Sequence, residues 1–331
     1  MIIWRFLAKF KEQILKSLLF FAFGILLIFI LAQFTDFSKV IKLILATPGR
    51  LNFLIFLPLV LYYLLKFLLE RFLILKLGLV VTARHIALLF AVAELVREFP
   101  TIPILMAASA TTRQGEKFFP MRLFSALVPQ LPLEIAVCFL ILAIFGFGNL
   151  PHLRLAAFLA VVLIFVFLVI LKKISIPQFL TSSGTGLRGK IAKMLLDLKE
   201  GLEQILIWQN LAASFLLILF YFLSLGTAFY FVAQASGFGQ LKLTQAWSSF
   251  ALIYAALVFS PMPADWGVSE SSGFILLSFL GASREAALAS MLTFRIIFSS
   301  ATYLTTGVIF WFLRSEIGDF VIGFAKPPKK I

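Results

Sequence analysis

Apolar residues form long runs along the chain, separated by short segments rich in lysine, arginine, proline or glycine. Six of these runs are long enough to cross about 30 Å of hydrocarbon as helices that rise about 1.5 Å per residue. We therefore predict six membrane-spanning helices, at 17–34, 51–69, 131–147, 153–171, 205–232 and 286–313. Lys66 lies near the end of the second run, where we expect its long side chain to extend to the lipid headgroups.

Two other regions carry apolar runs that are broken in the middle. The sequence EFPTIP, at 98–103, interrupts residues 86–112, and SPMPADWGVSE, at 260–270, interrupts residues 246–281. Each half is too short to cross a membrane alone, so each region forms either one kinked span or a hairpin that returns to its own side. Irregular backbone is tolerated at membrane depth only where protein or a water-filled cavity covers it, so both breaks are candidate sites. The residues that we expect to shape these breaks are Pro100, Pro103, Pro261, Pro263 and Gly267.

The composition supports a membrane protein. The chain is 62% hydrophobic and 13% charged, whereas soluble domains average roughly 45–50% apolar and about 25% charged residues. The net charge of +14 would suggest nucleic acid as the partner of a soluble protein. Here the lysines and arginines are better explained by the excess of positive charge in cytoplasmic loops, so we expect no nucleic-acid partner.

The distribution of these charges favours hairpins over kinked spans. With two hairpins and a cytoplasmic N-terminus, the cytoplasmic segments carry 20 lysines and arginines and the outside segments carry 6. With two single spans, the same residues divide 13 and 13. The first distribution is the one expected of a membrane protein. We therefore predict a multi-pass protein of the cell membrane with both termini in the cytoplasm.

Two hairpins give the chain an inverted repeat. The predicted fold is an all-α polytopic membrane protein with six full spans and two re-entrant hairpins, at 86–112 and 246–281. Many transporters share this plan and bind their substrate where the two repeats meet. Pro100 to Glu134 and Pro261 to Arg295 are both 34 positions apart, which is a faint internal echo. The predicted units are an interfacial amphipathic helix at 1–16, repeat one at 17–171, a cytoplasmic linker with an amphipathic helix at 172–204, the remainder of repeat two at 205–313 (with 153–171 as its first span), and a basic cytoplasmic tail at 314–331.

Ionisable side chains inside the predicted membrane segments are the candidate functional groups. Each costs about 2.5–3.5 kcal/mol at a helix centre if it is left unpaired. The set comprises Glu94, Arg97, Glu98, Glu134, Asp265, Glu270 and Arg295. A structural interpretation makes Glu270–Arg295, and Arg97–Glu134 or Arg113–Glu134, ion pairs that lock the hairpins. A functional one gives Arg295 a phosphate to bind, because a guanidinium forms two parallel hydrogen bonds. We predict a substrate site formed by Arg295, Glu270, Glu134, Asp265 and Arg113.

Other chemistries find little support. No histidine lies near Ser269, so a Ser-His-Asp arrangement is not expected. His85 and His152 are far apart in sequence, and Cys138 is the single cysteine. We therefore expect neither a metal site nor a disulfide. Residues 184–190 fit part of a phosphate-binding loop, but Ile191 stands where such a loop needs Ser or Thr, so no nucleotide cofactor is expected.

The tract Pro261-x-Pro263-x-x-x-Gly267-x-x-Glu270, followed by Gly281 and Arg295, resembles the C-terminal signature of the lysylphosphatidylglycerol synthase transmembrane-region family, a family of flippase-like membrane proteins. That family reads P-x-P-G-G-x-G-x-x-E, and this chain has Ala264-Asp265 in place of the Gly-Gly pair. EFPTIP, Arg113, Gly115, Glu116 and Glu134 resemble the corresponding part of its first half. The resemblance implies translocation of lipids with charged or sugar headgroups.

These observations predict a transporter rather than an enzyme. The favoured function is the translocation of a phospholipid or a polyprenyl-phosphate-linked headgroup between leaflets by alternating access, with membrane lipids as partners. As an alternative, the chain is a membrane subunit that presents lipid to a separately encoded aminoacyl- or glycosyl-transferase. An intramembrane enzyme that acts on lipid-linked substrates is a third possibility. No polar run is long enough for a soluble catalytic domain, so we do not expect lysyl transfer from this chain.

Overall fold

The computed structural model of the protein describes residues 22–46, 49–78, 82–96, 120–147, 150–173, 196, 198–258 and 267–314. All regular structure in these residues is helical, which confirms the all-α class for this part of the chain. The helices are α1 (Ala22–Gln33), α2 (Phe37–Leu45), α3 (Gly49–Lys76), α4 (Ala83–Val96), α5 (Pro120–Phe145), α6 (Pro151–Lys173), α7 (Trp208–Ala235), α8 (Leu243–Val258), α9 (Val268–Phe279) and α10 (Arg284–Phe312). A further helical segment covers 198–205. The predicted helix at 1–16, the breaks at 98–103 and 260–266, and most of the linker and the tail lie outside the described residues.

Five helices of the described part are long and apolar enough to cross a membrane, namely α3, α5, α6, α7 and α10. They coincide with five of the six predicted runs. The agreement is within two residues at both ends for α6 and α10. Helix α5 departs most because it begins at Pro120 instead of Leu131, and α3 continues to Lys76 instead of ending at Leu69. The linker side of α7 also differs, since a turn at 206–207 separates the helical segment 198–205 from the start of α7 at Trp208.

The remaining predicted run, at 17–34, is described from Ala22 onward and ends in a sharp bend. Helix α1 stops at Gln33, and α2 leaves it at an angle of 105°. The side chain of Asp36 caps α2 by accepting a hydrogen bond from the Lys39 N–H at 3.2 Å. The segment after the bend is therefore a separate short helix that the hydropathy pattern did not predict.

Helix α7 is the centre of the bundle. It packs most extensively on α3 and also contacts α5, α8 and α10. Aromatic side chains fill these contacts: the rings of Tyr62 and Tyr221 meet edge to face with centroids 5.6 Å apart. Tyr63 binds across to α10, where its hydroxyl lies 2.5 Å from Thr302 Oγ1. These contacts hold α3 against both α7 and α10.

Helices α8 and α9 are the two apolar halves of the interrupted region at 246–281. With 16 and 12 residues they are about 24 Å and about 18 Å long at 1.5 Å per residue, so each is shorter than the hydrocarbon thickness. They contact each other, and α9 also packs on α10. Gly24 of α1 lies against Gly267 at the start of α9, so α1 closes the other side of α9.

Candidate functional site

Glu270 occupies the first turn of α9 and is fully buried. Its Oε2 accepts hydrogen bonds from the N–H of Gly267 at 2.7 Å and from the hydroxyl of Ser269 at 2.8 Å. Gly267 caps the helix at a φ of +80°, a conformation that glycine adopts without steric cost. The positive end of the helix dipole also favours a carboxylate in this turn. The local backbone therefore holds the Glu270 side chain at a fixed position.

Arg295 provides the opposite charge from α10. It is the twelfth of 29 residues, about 4.5 Å along the axis from the helix midpoint. Its Nε lies 3.8 Å from Glu270 Oε1, so the predicted Glu270–Arg295 ion pair is present. The distance exceeds the 2.7–2.9 Å of a charge-assisted hydrogen bond. Within the described part of the chain, Glu270 Oε1 accepts no hydrogen bond. The two charges thus attract each other without a hydrogen bond between Arg295 Nε and Glu270 Oε1.

Glu270 and Arg295 both line a cavity of about 80 Å³. Helices α7, α8, α9 and α10 form most of its wall, and α4 contributes one side chain. The polar lining consists of Glu94, Tyr254, Ser269, Glu270, Arg295, Ser299 and Thr302. Leucine, isoleucine, methionine and phenylalanine side chains make up the remainder. Since one water needs about 10–15 Å³ by such a measure, the cavity has the size of a few water molecules or one small polar group.

Glu134 lies next to this cavity in a cage of neutral donors. Its Oε1 accepts hydrogen bonds from the Tyr221 hydroxyl at 2.7 Å and from the Gln130 amide at 2.9 Å. Its Oε2 accepts a hydrogen bond from the Tyr254 hydroxyl. Tyr254 also lines the cavity, so a single side chain separates Glu134 from the Glu270–Arg295 pair. Three donors from α5, α7 and α8 are what allow a carboxylate to be buried here.

A second buried ion pair joins α3 to α4, where Lys66 binds Glu94. The prediction that Lys66 extends to the headgroups is wrong. Its side chain is only 11% exposed, because α3 continues for ten residues beyond it and places it in the interior. Its ammonium group also lies 5.9 Å from the ring centroid of Tyr62. Because Glu94 lines the cavity, this pair adds a third charged residue to its lining, beside Glu270 and Arg295.

The structure thus brings Glu94, Glu134, Glu270 and Arg295 together around one cavity. The predicted partners Arg97 and Arg113 of Glu134 lie outside the described residues. The same holds for the remaining predicted site residues, which are Asp265, Pro100, Pro103, Pro261 and Pro263. Among the residues that are described, no group of three His, Cys, Asp or Glu side chains has the arrangement of a metal site.

The polar residues that complete the cavity wall and the Glu134 cage were not predicted from the sequence. Ser299 and Thr302 are one and two turns beyond Arg295 on α10, a spacing that places them on the same helix face. That spacing is the signal that could have identified them. Tyr221 and Tyr254 carry no such signal, because their contact with Glu134 joins residues 87 and 120 positions apart.

No model of a known protein family matches the chain, and no curated protein matches it.

Proposed function

We propose that the protein is a flippase-like transporter that moves a phospholipid or a polyprenyl-phosphate-linked lipid between the two leaflets of the cell membrane. The observation that carries this proposal is the Glu270–Arg295 pair, 3.8 Å apart in a cavity near the middle of the apolar helix α10. Ionisable groups at such a depth usually mark a substrate or ion pathway. An arginine there suits a phosphate, the group common to both lipid classes.

In this mechanism the phosphate of the headgroup enters between the two charges and binds the guanidinium of Arg295. The hydroxyl of Ser299, which lines the same cavity one turn beyond Arg295, has a donor for a further phosphate oxygen. Glu270 cannot follow the arginine, because Gly267 and Ser269 hold its Oε2. It therefore serves as the fixed counter-charge that restores the ion pair when the phosphate leaves.

The size of the cavity requires a conformational change. Sites that enclose a drug-sized molecule measure about 300–1,000 Å³, and this cavity measures about 80 Å³. We assign the conformation described here to a closed state. Opening would separate α9 from α10 so that the headgroup enters while the acyl chains stay in the surrounding lipid. The short helices α8 and α9 act as the arms of a re-entrant hairpin in this proposal, within an inverted repeat whose two termini are cytoplasmic.

The test is lipid exchange in vesicles that contain the purified protein. Phospholipids and a polyprenyl phosphate, each with a fluorescent label, are reduced chemically from outside, and the protected fraction reports exchange between leaflets. We expect the wild-type protein to accelerate exchange of at least one phosphate-bearing lipid. Arg295→Ala should slow it at least about tenfold, because a hydrogen bond to a charged group contributes roughly 1.5–3 kcal/mol. Arg295→Lys should retain part of the rate, since it keeps the charge without the paired donors.

The matched control is Arg314→Gln. Arg314 is exposed, lies just beyond the end of the same helix, and stacks on Trp311 instead of lining the cavity. It should exchange lipid at the wild-type rate. A wild-type protein that accelerates no lipid, or an Arg295→Ala variant as fast as Arg314→Gln, rules out the transport function. In the first case, copurification with a transferase would favour the alternative role of presenting lipid to that enzyme.

A further inference from the structure

The side chains of helix α2 divide into one polar and one apolar sector. At about 100° per residue, its polar side chains form one sector, made of Ser38, Lys39 and Lys42. Its apolar side chains occupy the other roughly 200° of the circumference, made of Phe37, Val40, Ile41, Leu43, Ile44 and Leu45. A helix with so wide an apolar sector is expected to bury all of it against protein, lipid or both.

Only half of that apolar sector is covered by protein. Val40 is fully buried against Leu288 and Ala289 in the first turns of α10, and Leu43 and Ile44 pack beside it. This contact fixes how α2 is rotated. The other half, which consists of Phe37, Ile41 and Leu45, remains 48%, 43% and 79% exposed.

The direction of α2 fits a membrane surface. It makes an angle of 105° with α1, which is 15° from a right angle. If α1 runs along the membrane normal, α2 lies nearly in the plane of the membrane. The exposed apolar half then faces the lipid, and the adjoining polar sector faces the headgroups and water. This arrangement is the one that interfacial amphipathic helices adopt.

The charges on and around α2 favour anionic headgroups. Lys42 points from the polar sector at the last turn, and Lys39, although 3.4 Å from Asp36, is still well exposed. Glu285 lies at the start of the helix, where its carboxylate accepts a hydrogen bond from the Asp36 N–H at 3.5 Å. The two acids, Asp36 and Glu285, thus lie at the start of the helix, whereas Lys42 lies in its last turn.

We propose that α2 is an interfacial lipid-binding helix: Phe37, Ile41 and Leu45 enter the acyl region, and Lys39 and Lys42 bind the phosphates of anionic phospholipids. The proposed transport function is not needed for this inference. It assigns to the α1–α2 bend a contact with bulk lipid at the edge of the molecule, separate from the cavity at Arg295.

The experiment uses a nitroxide spin label on the full chain in phosphatidylglycerol-containing vesicles. Labels are placed at Ile41→Cys, Leu45→Cys and Lys42→Cys, with Leu163→Cys on the exposed face of α6 as the lipid reference. Cys138 is buried, so the wild-type protein is the control for background labelling. Each label is then tested for collision with oxygen, which concentrates in lipid, and with a water-soluble nickel chelate.

We expect oxygen to collide more often than the chelate at positions 41 and 45, as at position 163, and the order to reverse at position 42. Chelate-accessible labels at both 41 and 45 would place the apolar half in water and overturn the proposal. Low accessibility to both reagents at 41 and 45 would mean that protein covers this face. A change with dilution would identify the cover as a second copy, and no change as another segment of this chain, and either result overturns the proposal.

A second measurement tests the two lysines. A fluorophore at position 41 is quenched by nitroxide-labelled phosphatidylglycerol or phosphatidylcholine, and the ratio of the two reports local enrichment of the anionic lipid. Removing one lysine, as in Lys42→Gln, should lower that enrichment by up to roughly fivefold, and high salt should lower it further. An unchanged ratio in Lys39→Gln/Lys42→Gln overturns the assignment of these lysines to anionic lipid.

Discussion

Replacing Gly267 with alanine tests how α1 and the cavity helix α9 are held together. Gly267 has a φ of +80°, and other residues at positive φ cost about 1–3 kcal/mol. A Cβ at this position would lie 2.8 Å from the Cα of Gly24 and 2.9 Å from its carbonyl oxygen. Carbon atoms pack best at about 3.5–4.0 Å, so α1 would have to move by at least about 0.7 Å. Such overpacking typically adds 1–3 kcal/mol to the destabilisation.

A second glycine separates the two contributions. Gly281 has a φ of +98°, and a Cβ there would meet no heavy atom within 4 Å. Gly281→Ala therefore carries the backbone strain alone, whereas Gly267→Ala carries the strain and the contact with α1. We expect the free energy of unfolding to fall by about 1–3 kcal/mol more in Gly267→Ala than in Gly281→Ala.

The assay is thermal unfolding of both variants in one detergent at one scan rate, because the apparent midpoint of an irreversible transition depends on the rate. At roughly 2–4 °C per kcal/mol, or somewhat less for a chain of this length, the extra loss amounts to several degrees. Equal midpoints for the two variants would refute the close contact between α1 and α9. A lower midpoint for Gly281→Ala would refute the steric reasoning as well.

Two further predictions concern the other buried polar groups. Glu94→Gln leaves Lys66 without its carboxylate and should destabilise the protein by about 3–5 kcal/mol. The apolar double variant Lys66→Met/Glu94→Leu should recover most of that loss. Equal unfolding midpoints for the two variants would show that the pair is not effectively buried. Tyr254→Phe removes a donor from Glu134 and should cost about 1.5–3 kcal/mol. Tyr230→Phe is its control, because Tyr230 lies on the same helix as Tyr221 but is not one of the three donors to Glu134. A matching loss there would contradict the cage.

Hydropathy predicted the positions of the membrane helices because the thickness of hydrocarbon fixes the length of an apolar run. This explains why α6, at Pro151–Lys173, begins and ends within two residues of the predicted 153–171. The bend after Gln33 was missed for the opposite reason. The residues between the first two predicted spans were counted only as one of the outside segments, although FSKVIKLIL already shows the wide apolar sector of α2.

The site was predicted in part. Glu270 and Arg295 were identified together, because both are charged residues in otherwise apolar segments. Opposite charges in such segments are expected to pair, since each is costly when unpaired. The pairing of Lys66 was not predicted, since its apparent position near a helix end depended on where α3 stops. The neutral cage of Glu134 was also missed. Its donors are tyrosines whose spacing along the sequence reflects only the way α5, α7 and α8 meet.

Tyr254 has one hydroxyl proton, and it lies between two possible acceptors, namely Glu134 and a ligand in the cavity. The proton is donated to Glu134, and the Tyr254 side chain also lines the cavity. A ligand in the cavity that accepted the hydrogen bond of Tyr254 would leave Glu134 with one donor fewer. Ligand binding and the hydrogen bonding of Glu134 would therefore be coupled. Such linkage is reciprocal. A substitution at Gln130 or Tyr221, neither of which lines the cavity, would then alter ligand affinity by the same factor by which the bound ligand alters the effect of that substitution on stability.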